Sequence, residues 1–520
     1  MTPVGTLAKL GYAFARSGLL KPSRPDRIAR QVGALLHWGL SLAGEFVSAA
    51  RRDPGRIAIV DDAGQLTFAE VDQRTDRMAL AFAVHGRPRI GLLCRNHRGA
   101  VETLIAASKL GSDVVLLNTG LSAAQLATVL DQQQVDVVVL DEEFAGLLGD
   151  SVLPRYLAWA EGGASDLESL ATTPGGGELS PPEQPGRTII LTSGTTGAPK
   201  GARRPVVHGV RPLAAMLSRI PLKVGGRVLI AAPIFHTWGF GGLQFATAMR
   251  STLVLRRKFE PAAINELLAA EKCTALWAVP IMLQRLLDEA APPRVPELRV
   301  TAVSGSTLPG DLALSFMDAY GDVLYNLYGS TEASWAAVAQ PHELRAYPGT
   351  AGRPPAGTRL VIFSEDGEPV RPGETGQIFV GNEMIFDGYT NGAAKEIRDG
   401  MLRTGDLGHL EAGGLLFVDG REDDMIISGG ENVFPREVED LLSRLPEVLE
   451  CCVAGVDDPE WGQRLAAWVV LHPGAELDAE AVRQHVKEHL ARFSVPRDVR
   501  FLDALPRNAT GKVLVRDLPR

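Results

Sequence analysis

The stretch ALWAVPIMLQRLLDEAAPPRVPELRVTAVSG, residues 275–305, contains one complete strand–helix–strand unit. Its first six residues are apolar and strand-like, residues 281–290 carry apolar side chains at helical spacing, and residues 299–305 are again strand-like. The same alternation runs from residue 227 to residue 329, so we expect an α/β fold whose sheet has a large parallel component. Because such sheets bind ligands at the carboxyl ends of their strands, the polar residues that follow these strands are candidate binding residues.

The length of the chain predicts more than one domain. It has 520 residues, and single hydrophobic cores stop growing at about 250–300 residues. After about residue 420 the pattern changes, so we place a small α+β C-terminal domain at 422–520 behind a large domain at 51–421, which is expected to consist of several subdomains with mixed and parallel sheets. A Gly-, Pro- and Ser-rich stretch at 161–187 is predicted to be an exposed connector.

Charge and cysteine content limit the classes of function. The formal net charge of −9 argues against a nucleic-acid-binding protein and fits an enzyme acting on small molecules. The four cysteines lack metal-ligand spacing, so we expect free thiols in a cytoplasmic protein. The apolar stretch at 230–249 is interrupted by Pro233 and His236, which favours a buried pocket wall over a transmembrane helix.

The N-terminus is basic. Residues 1–31 carry six basic residues and one acidic residue, and Leu7, Leu10 and Phe14 are spaced to share one helical face. We therefore predict an amphipathic, basic extension over residues 1–50. Two alternatives stay open: the extension packs on the domain behind it, which we favour, or it contacts an anionic membrane surface at the inner face of a membrane. A homodimer is also compatible with the sequence.

Residues 191–205 read LTSGTTGAPKGARRP, a run of small hydroxyl residues and glycines followed by a lysine. Small residues let the backbone approach a ligand closely, and hydroxyls, backbone N–H groups and a lysine can hold phosphate oxygens. The spacing differs from the G-x-x-x-x-G-K-[ST] phosphate loop, since Pro199 stands where the second glycine is required. These residues indicate phosphate binding without deciding the reaction.

Five further stretches place polar residues in glycine-containing turns: SGSTLPGDL (304–312), NLYGSTE (326–332), RTGDLG (403–408), VDGREDDMIISGGENVFPREVE (418–439) and PRNATGK (506–512). With residues 191–205, and over nearly the whole chain from about residue 50, they resemble the adenylate-forming superfamily of acyl-CoA synthetases, peptide-synthetase adenylation domains and beetle luciferases. The form at 426–439 is similar to the fatty acyl-CoA synthetase branch. The resemblance implies ATP- and Mg²⁺-dependent activation of a carboxylic acid to an acyl-adenylate with release of pyrophosphate, then thioester formation with coenzyme A and release of AMP.

The resemblance also implies roles for individual residues. Phosphate and nucleotide contacts would come from Thr192, Ser193, Gly194, Thr195, Thr196, Gly197, Lys200, Ser304, Gly305, Ser306, Gly329 and Ser330. Asn326 and Tyr328 would meet the adenine, while Asp406 and Arg421 would hold the ribose. Thr331 would lie near the α-phosphate and Glu332 would bind Mg²⁺, a hard cation that favours carboxylate oxygen. Lys512 would bridge the substrate carboxylate and the α-phosphate. The implied catalytic set is Thr195, Thr331, Glu332 and Lys512.

In this superfamily the C-terminal domain serves two half-reactions by rotating about a hinge. The resemblance places the hinge at Asp423. It places the loop that lines the tunnel for coenzyme A at Gly429 and Gly430, where missing side chains leave room for a thin thiol arm.

The identity of the acid is predicted from PIFHTWGFGG (233–242). Relatives that activate amino acids have an aspartate here, and without one the substrate ammonium would be unpaired in an apolar pocket. By resemblance, His236 and Trp238 would line or gate the acyl pocket. Gly239 and Trp277 are candidates for shaping an apolar channel there, although for Trp277 and Met282 we favour generic core positions. We predict a medium- or long-chain fatty acid as substrate. The alternatives are an aryl or other carboxylic acid, or an acyl-AMP ligase that loads a carrier protein.

Overall fold

The computed structural model describes residues 11–21, 24–163, 165–173, 177, 179–192, 200–206, 209–289, 294–428, 431–458, 462–508 and 511–519. These residues form four β-sheets with helices packed on them. The first three sheets precede residue 422 and the fourth follows it. The predicted fold, a large α/β domain with mixed sheets followed by a small domain, is confirmed.

The largest sheet has eight strands. Their order is β14 (Ala337–Ala339), β13 (Leu324–Tyr328), β12 (Val300–Val303), β11 (Ala275–Ala278), β9 (Arg227–Ile230), β10 (Thr252–Leu255), β1 (Ile57–Asp61) and β2 (Gly64–Thr67). The six inner strands are parallel, and the edge strands β14 and β2 are antiparallel to their neighbours. The parallel sheet predicted for residues 227–329 is therefore present. The carboxyl ends of its strands meet at one edge, where β13 and β12 lead into two of the predicted motifs.

The second sheet has six strands. Their order is β6 (Arg155–Trp159), β5 (Val137–Asp141), β3 (Ile90–Leu93), β4 (Val114–Leu116), β7 (Thr188–Thr192) and β8 (Lys200–Arg203). All neighbours are parallel except β7 and β8, which form an antiparallel pair. The main hydrophobic core joins this sheet to the first, since Leu92 and Ile190 share it with Ile59 and Ile230.

The two remaining sheets lie on either side of the predicted domain boundary. The third contains β15 (Arg359–Phe363), β16 (Gly376–Gly381), β18 (Met401–Leu410) and β17 (Ile397–Arg398), with β19 (Leu416–Arg421) also paired to β18. The fourth contains β21 (Glu431–Val433), β20 (Ile426–Ser428), β23 (Gly462–Leu471) and β22 (Val448–Asp458), with β24 (Asp498–Phe501) paired to β23. Residues 422–425 connect the two sheets.

The α-helices connect the strands and cover both faces of the sheets. They are α1 (Pro25–Trp38), α2 (Leu42–Arg52), α3 (Phe68–Phe82), α4 (Arg98–Leu110), α5 (Ala123–Gln132), α6 (Asp166–Thr172), α7 (Arg211–Leu217), α8 (Thr237–Ala248), α9 (Pro261–Ala270), α10 (Pro280–Leu287), α11 (Gly310–Tyr320), α12 (Pro341–Ala346), α13 (Pro435–Leu442) and α14 (Ala479–His489). Several begin with proline, whose fixed φ and missing N–H suit the first helical turn. Among the described residues no helix is both long enough and apolar enough to span a bilayer.

Two local expectations differ from the structure. The stretch 161–187 was predicted to be an exposed connector, but it contains helix α6, which Ser165 caps and which buries Leu167 and Ala171. Helix α2 runs across the predicted end of the N-terminal extension at residue 50, and its Phe46 belongs to the main core. The four cysteines are free, as expected.

Candidate active site

The adenine and ribose motifs meet at the carboxyl end of β13. Asn326 and Tyr328 are two residues apart on this strand, so their side chains lie on the same face. The Tyr328 hydroxyl donates to Asp406 Oδ2 at 2.5 Å, which joins the first sheet to β18 of the third. Burial raises the pKa of Tyr328 well above its ordinary value, so the hydroxyl stays protonated and keeps this donor role. The Asn326 amide makes no hydrogen bond to any described residue and is free to bind a ligand.

Asp406 and Arg421 lie directly opposite each other on the antiparallel strands β18 and β19. Their closest side-chain atoms, Asp406 Oδ1 and Arg421 Nε, are 3.7 Å apart, and Arg421 Nε is buried without a hydrogen bond among the described residues. Burial raises the pKa of Asp406, whereas its bond from Tyr328 and the Arg421 charge oppose this rise. An unmet donor beside a carboxylate oxygen is a suitable partner set for a pair of sugar hydroxyls.

Glu332 is held by Tyr389, a residue that no predicted motif contains. The Tyr389 hydroxyl donates to Glu332 Oε1 at 2.5 Å, and the carboxylate is buried with 8% exposure. Burial raises the pKa of Tyr389, so this donor also stays protonated. The Lys200 ammonium lies 5.8 Å from the centre of the Tyr389 ring. Tyr389 therefore links the last residue of the predicted phosphate loop to the predicted metal ligand.

The turn that carries Thr331 and Glu332 is fixed by a buried arginine. Arg204 donates to the Thr331 carbonyl at 2.8 Å and to Ser334 Oγ at 2.7 Å. Burial lowers its pKa to about 10, and the nearby Glu332 charge opposes the shift. The turn is tight: a Cβ on Gly329 would lie 2.1 Å from the Ser334 carbonyl oxygen, so only glycine fits there.

Thr331 also contacts the helix that begins within the predicted acyl motif. Its hydroxyl lies 2.8 Å from the hydroxyl of Thr237, the first residue of α8. Ser304, Gly305 and Ser306 follow β12 on the neighbouring strand, with Ser304 buried and Gly305 at φ +96°. The structure thus brings together the strand ends that carry the predicted nucleotide contacts.

The flanks of the predicted phosphate loop form an antiparallel pair. Thr192 ends β7 directly opposite Lys200, which begins β8, and the Thr192 hydroxyl donates to the Lys200 carbonyl at 3.2 Å. The predicted contacts Ser193, Gly194, Thr195, Thr196 and Gly197 lie outside the described residues, as do Gly429 and Gly430 of the predicted tunnel. Asp423 is exposed in a short 3₁₀ turn after β19, 3.9 Å from Arg421. Its hinge role stays a prediction.

Lys512 faces this site from the other domain. The preceding Gly511 is buried at φ +80°, and a Cβ on it would lie 2.3 Å from Cγ2 of Ile281 in helix α10. The Lys512 backbone N–H donates to Asn508 Oδ1 at 2.9 Å, while its side chain is exposed. Its charge acts to lower the pKa of Asp406. The C-terminal domain is therefore docked with this lysine toward the nucleotide residues.

The donor set fits a magnesium ion. Tyr389 binds Oε1 of Glu332, and the other carboxylate oxygen accepts no hydrogen bond from the part of the chain that the structure describes. Magnesium in nucleotide sites takes one or two carboxylates together with substrate phosphates, and Glu332 with the neighbouring Thr331 hydroxyl supplies hard oxygen donors of that kind.

Comparisons with known proteins agree with this geometry. A family model described as AMP-binding enzyme matches residues 46–390, and one described as AMP-binding enzyme C-terminal domain matches residues 437–512. The chain belongs to the AMP-binding enzyme family.

Relatives of this family match nearly the whole chain. It is 36% identical to a 2-succinylbenzoate–CoA ligase of Geobacillus kaustophilus, over 90% of this chain and 95% of the relative. It is 33% identical to a feruloyl-CoA synthase of an Amycolatopsis species, over 91% and 97%. It also resembles the solved structure of the Bacillus subtilis o-succinylbenzoate CoA synthetase in complex with its acyl-adenylate intermediate, with a TM-score of 0.80, 29% identity and coverage of 91% and 97%.

In this member of the AMP-binding enzyme family, aromatic side chains fill the predicted acyl region. Trp238 in α8 stacks on Trp277 with ring centroids 4.6 Å apart, and each indole N–H donates to a backbone carbonyl. Trp277 is fully buried, and a Cβ on Gly242 would lie 2.6 Å from its ring. A Cβ on Gly239 would likewise lie 2.1 Å from the Pro233 carbonyl oxygen. The missing side chains of these two glycines therefore let α8 approach its neighbours closely.

His236 stands at the start of α8 as a neutral imidazole. Burial lowers its pKa to about 4, and its Nε2 is buried without a hydrogen-bond partner among the described residues. An unpaired buried nitrogen of this kind costs free energy unless a ligand or water binds it. The gating role of His236 stays a prediction.

Sequence reasoning missed Tyr389 and Arg204. Tyr389 lies in DGYTNG (387–392), and the only indication in the sequence was an aromatic residue in a glycine-containing turn. Arg204 is the second arginine of a pair near the end of the stretch 191–205, where the sequence assigned it no role. Neither pattern indicates which distant residue the side chain contacts.

Proposed function

We propose that this chain is an AMP-forming ligase that joins an aromatic carboxylic acid to coenzyme A through an acyl-adenylate. The observation that carries the proposal is the docking of the Lys512 loop against Ile281, with the Lys512 charge acting on the hydrogen-bonded pair Asp406 and Tyr328. This arrangement supports a role for a cation of one domain at the predicted nucleotide residues of the other.

The chemistry follows from the charges that these groups supply. A carboxylate is a poor electrophile, and its conversion to an acyl-adenylate gives it AMP as a leaving group. Two anions, the carboxylate and the α-phosphate, must approach each other, and the Lys512 ammonium lowers the cost of that approach. A bound Mg²⁺ would supply further positive charge to the triphosphate. Asp406 and Arg421 orient the ribose, so that the α-phosphate stays within reach.

The aromatic class of acid is supported by two lines of evidence. The relatives at 33–36% identity are named for aromatic acids, so the aryl-acid alternative has better support than the fatty acid predicted from the motifs. The stacked pair Trp238 and Trp277 also places aromatic rings between α8 and β11, in the predicted acyl region. A flat aromatic wall suits a planar ring, since offset stacking of rings adds to the free energy of burial.

One assay tests the proposal. The protein is incubated with ATP, Mg²⁺ and a panel of aryl, arylalkyl and fatty acids, with and without coenzyme A, and AMP and acyl-CoA are measured. We expect both products to form with aryl acids only when coenzyme A is present. Acyl-AMP that accumulates while coenzyme A is ignored would instead indicate a carrier-loading enzyme, and no turnover with any acid would contradict a ligase function.

A lysine variant with a matched control separates the two half-reactions. Lys512→Ala should abolish most acyl-adenylate formation but largely spare thioester formation from supplied acyl-AMP. Lys487→Ala removes an exposed lysine of the same domain and should leave both half-reactions unchanged. Equal loss of both half-reactions in Lys512→Ala would show that the lysine does not act in adenylation alone.

The proposed aromatic wall can be tested by replacing one of its two tryptophans with a smaller apolar residue. Trp238→Leu removes one ring of the stacked pair, whereas Trp277, which is fully buried, stays in place. We expect kcat/KM for aryl acids to fall about tenfold, because one stacking partner of about 0.5–1.5 kcal/mol and its apolar contact are lost. The ratio of fatty-acid to aryl-acid kcat/KM should rise. An unchanged ratio would place the acyl group elsewhere.

A further inference from the structure

Helix α1 carries an exposed apolar stripe that no described residue covers. Ile28, Val32 and Leu36 are spaced four residues apart, so they share one side of the helix. Their exposures are 36%, 47% and 83%. The opposite side packs on α2, where Arg52 donates to Gln31 at 2.5 Å.

Basic side chains flank this stripe. Arg24 and Arg30 are 74% and 54% exposed, and they share the single acidic partner Asp26. Arg27 donates to Asp53 at 2.8 Å at the junction with α2. The whole chain has a net charge of −9, so this basic surface is opposite in sign to the average.

A second group of arginines lies behind the same junction. Arg250 is only 8% exposed, and its guanidinium forms no hydrogen bond or ion pair with any described residue. Arg52 and Arg56 lie close enough for their charges to lower its pKa further, while Asp53 is the one carboxylate that counters them. Among the charged residues of α1 and this junction that are named here, positive charge therefore exceeds negative charge.

We propose that this surface, formed by Ile28, Val32 and Leu36 with Arg24, Arg27 and Arg30, docks on a bilayer that contains anionic phospholipid. An apolar helix side that enters the headgroup boundary, with arginines at the level of the phosphates, is the arrangement of interfacial helices. Each basic residue near such a surface adds to the attraction, and the attraction weakens with salt. The proposal does not depend on which acid the enzyme activates.

Charge complementarity favours a lipid surface over a second copy of the chain. A symmetric contact through this stripe would place the arginines of one copy against those of the other. That arrangement brings like charges together, which disfavours association.

The structure changes which residues are expected at the membrane. The sequence suggested a face with Phe14, but Phe14 packs against the main core, and Ala13 beside it is buried. The first helical segment, residues 11–17, is therefore anchored on the domain. The exposed stripe belongs to the next helix.

Vesicle sedimentation of the full-length protein tests the proposal. Vesicles of phosphatidylcholine alone and with about a third of phosphatidylglycerol are compared at about 50 and 500 mM salt, which differ several-fold in screening length. We expect binding to the anionic vesicles at low salt and loss of most binding at high salt. The variant I28S/V32S/L36S should bind at least about tenfold more weakly, since it removes the apolar contact.

The matched control is V84S/V152S/I397S, which removes three exposed apolar side chains from other surfaces. It should bind like the wild type, and both variants should keep the wild-type melting temperature and vesicle-free AMP formation. The variant R24E/R30E should lose the preference for anionic vesicles. Equal binding to both vesicle types, unchanged binding of the stripe variant, or a concentration-dependent dimer that the stripe variant abolishes would each overturn the proposal.

Discussion

Tyr389→Phe tests whether the position of Glu332 depends on one hydroxyl. The substitution removes only the oxygen that donates to Glu332 Oε1 at 2.5 Å and keeps the ring near Lys200. A hydrogen bond to a charged group contributes about 1.5–3 kcal/mol. If that free energy holds the carboxylate in its reactive position, kcat/KM for ATP should fall by about 10- to 100-fold.

Magnesium titration distinguishes the positioning of Glu332 by Tyr389 from a general loss of protein stability. Pyrophosphate release is measured over a range of Mg²⁺ concentrations for the wild type, Tyr389→Phe and the control Tyr156→Phe. Tyr156 also shares a hydrogen bond, at 2.9 Å with His85, but lies on β6 away from the site. We expect a raised half-saturating Mg²⁺ concentration only in Tyr389→Phe. If kcat/KM and Mg²⁺ dependence match those of the control within about twofold, which is less than 0.5 kcal/mol, the reasoning is refuted.

Three further perturbations address the supports of the site. Arg204→Met leaves the Thr331 carbonyl without this donor and removes the bond to Ser334 Oγ, so unfolding in denaturant should show a loss of about 1–3 kcal/mol, and adenylation should slow even where the protein is fully folded. Gly511→Ala places a Cβ against Ile281 at a positive φ, so acyl-adenylate formation should fall more than thioester formation from supplied acyl-AMP. Because the folded pKa of His236 is about 4, below its ordinary 6.5, the unfolded chain binds more protons between these values and stability is lost as pH falls. The wild type should therefore lose up to about 2 kcal/mol more than His236→Asn between pH 7 and pH 5, measured by urea unfolding at both pH values.

The strands of the first sheet were predictable because their information is local. The runs at 227–230, 275–278 and 300–303 are short and largely apolar, and each forms a parallel strand. Helix α6 was missed for the opposite reason. Its flanks are rich in glycine and proline, and its stability depends on distant contacts such as the bond between Glu168 and Arg74, 94 residues away.

The candidate site also contains residues that local sequence predicts and residues that only the fold reveals. Residues that would touch the nucleotide occur in short motifs, since a strand end and its turn present several side chains to one ligand. The residues that hold them in place are distant in sequence: Tyr389 is 57 residues from Glu332, and Arg204 is 127 residues from Thr331. A sequence shows that such residues exist but gives no distance between them, so their roles needed the fold.

The two domains supply different kinds of group to the proposed reaction. In the large domain, Tyr328, Asp406 and Glu332 are fixed by hydrogen bonds that cross between strands and sheets, so the nucleotide meets a preorganised surface. The Lys512 side chain has no such fixed partner among the described residues: it is exposed, while its loop is held within the C-terminal domain by bonds such as that from Arg507 to the Gly511 carbonyl and packs on Ile281 of the large domain. A cation bound to the large domain by hydrogen bonds would have to break them before the C-terminal domain could move. In the proposed reaction, a cation without such bonds leaves as the C-terminal domain rotates, and the same fixed surface then serves the second half-reaction.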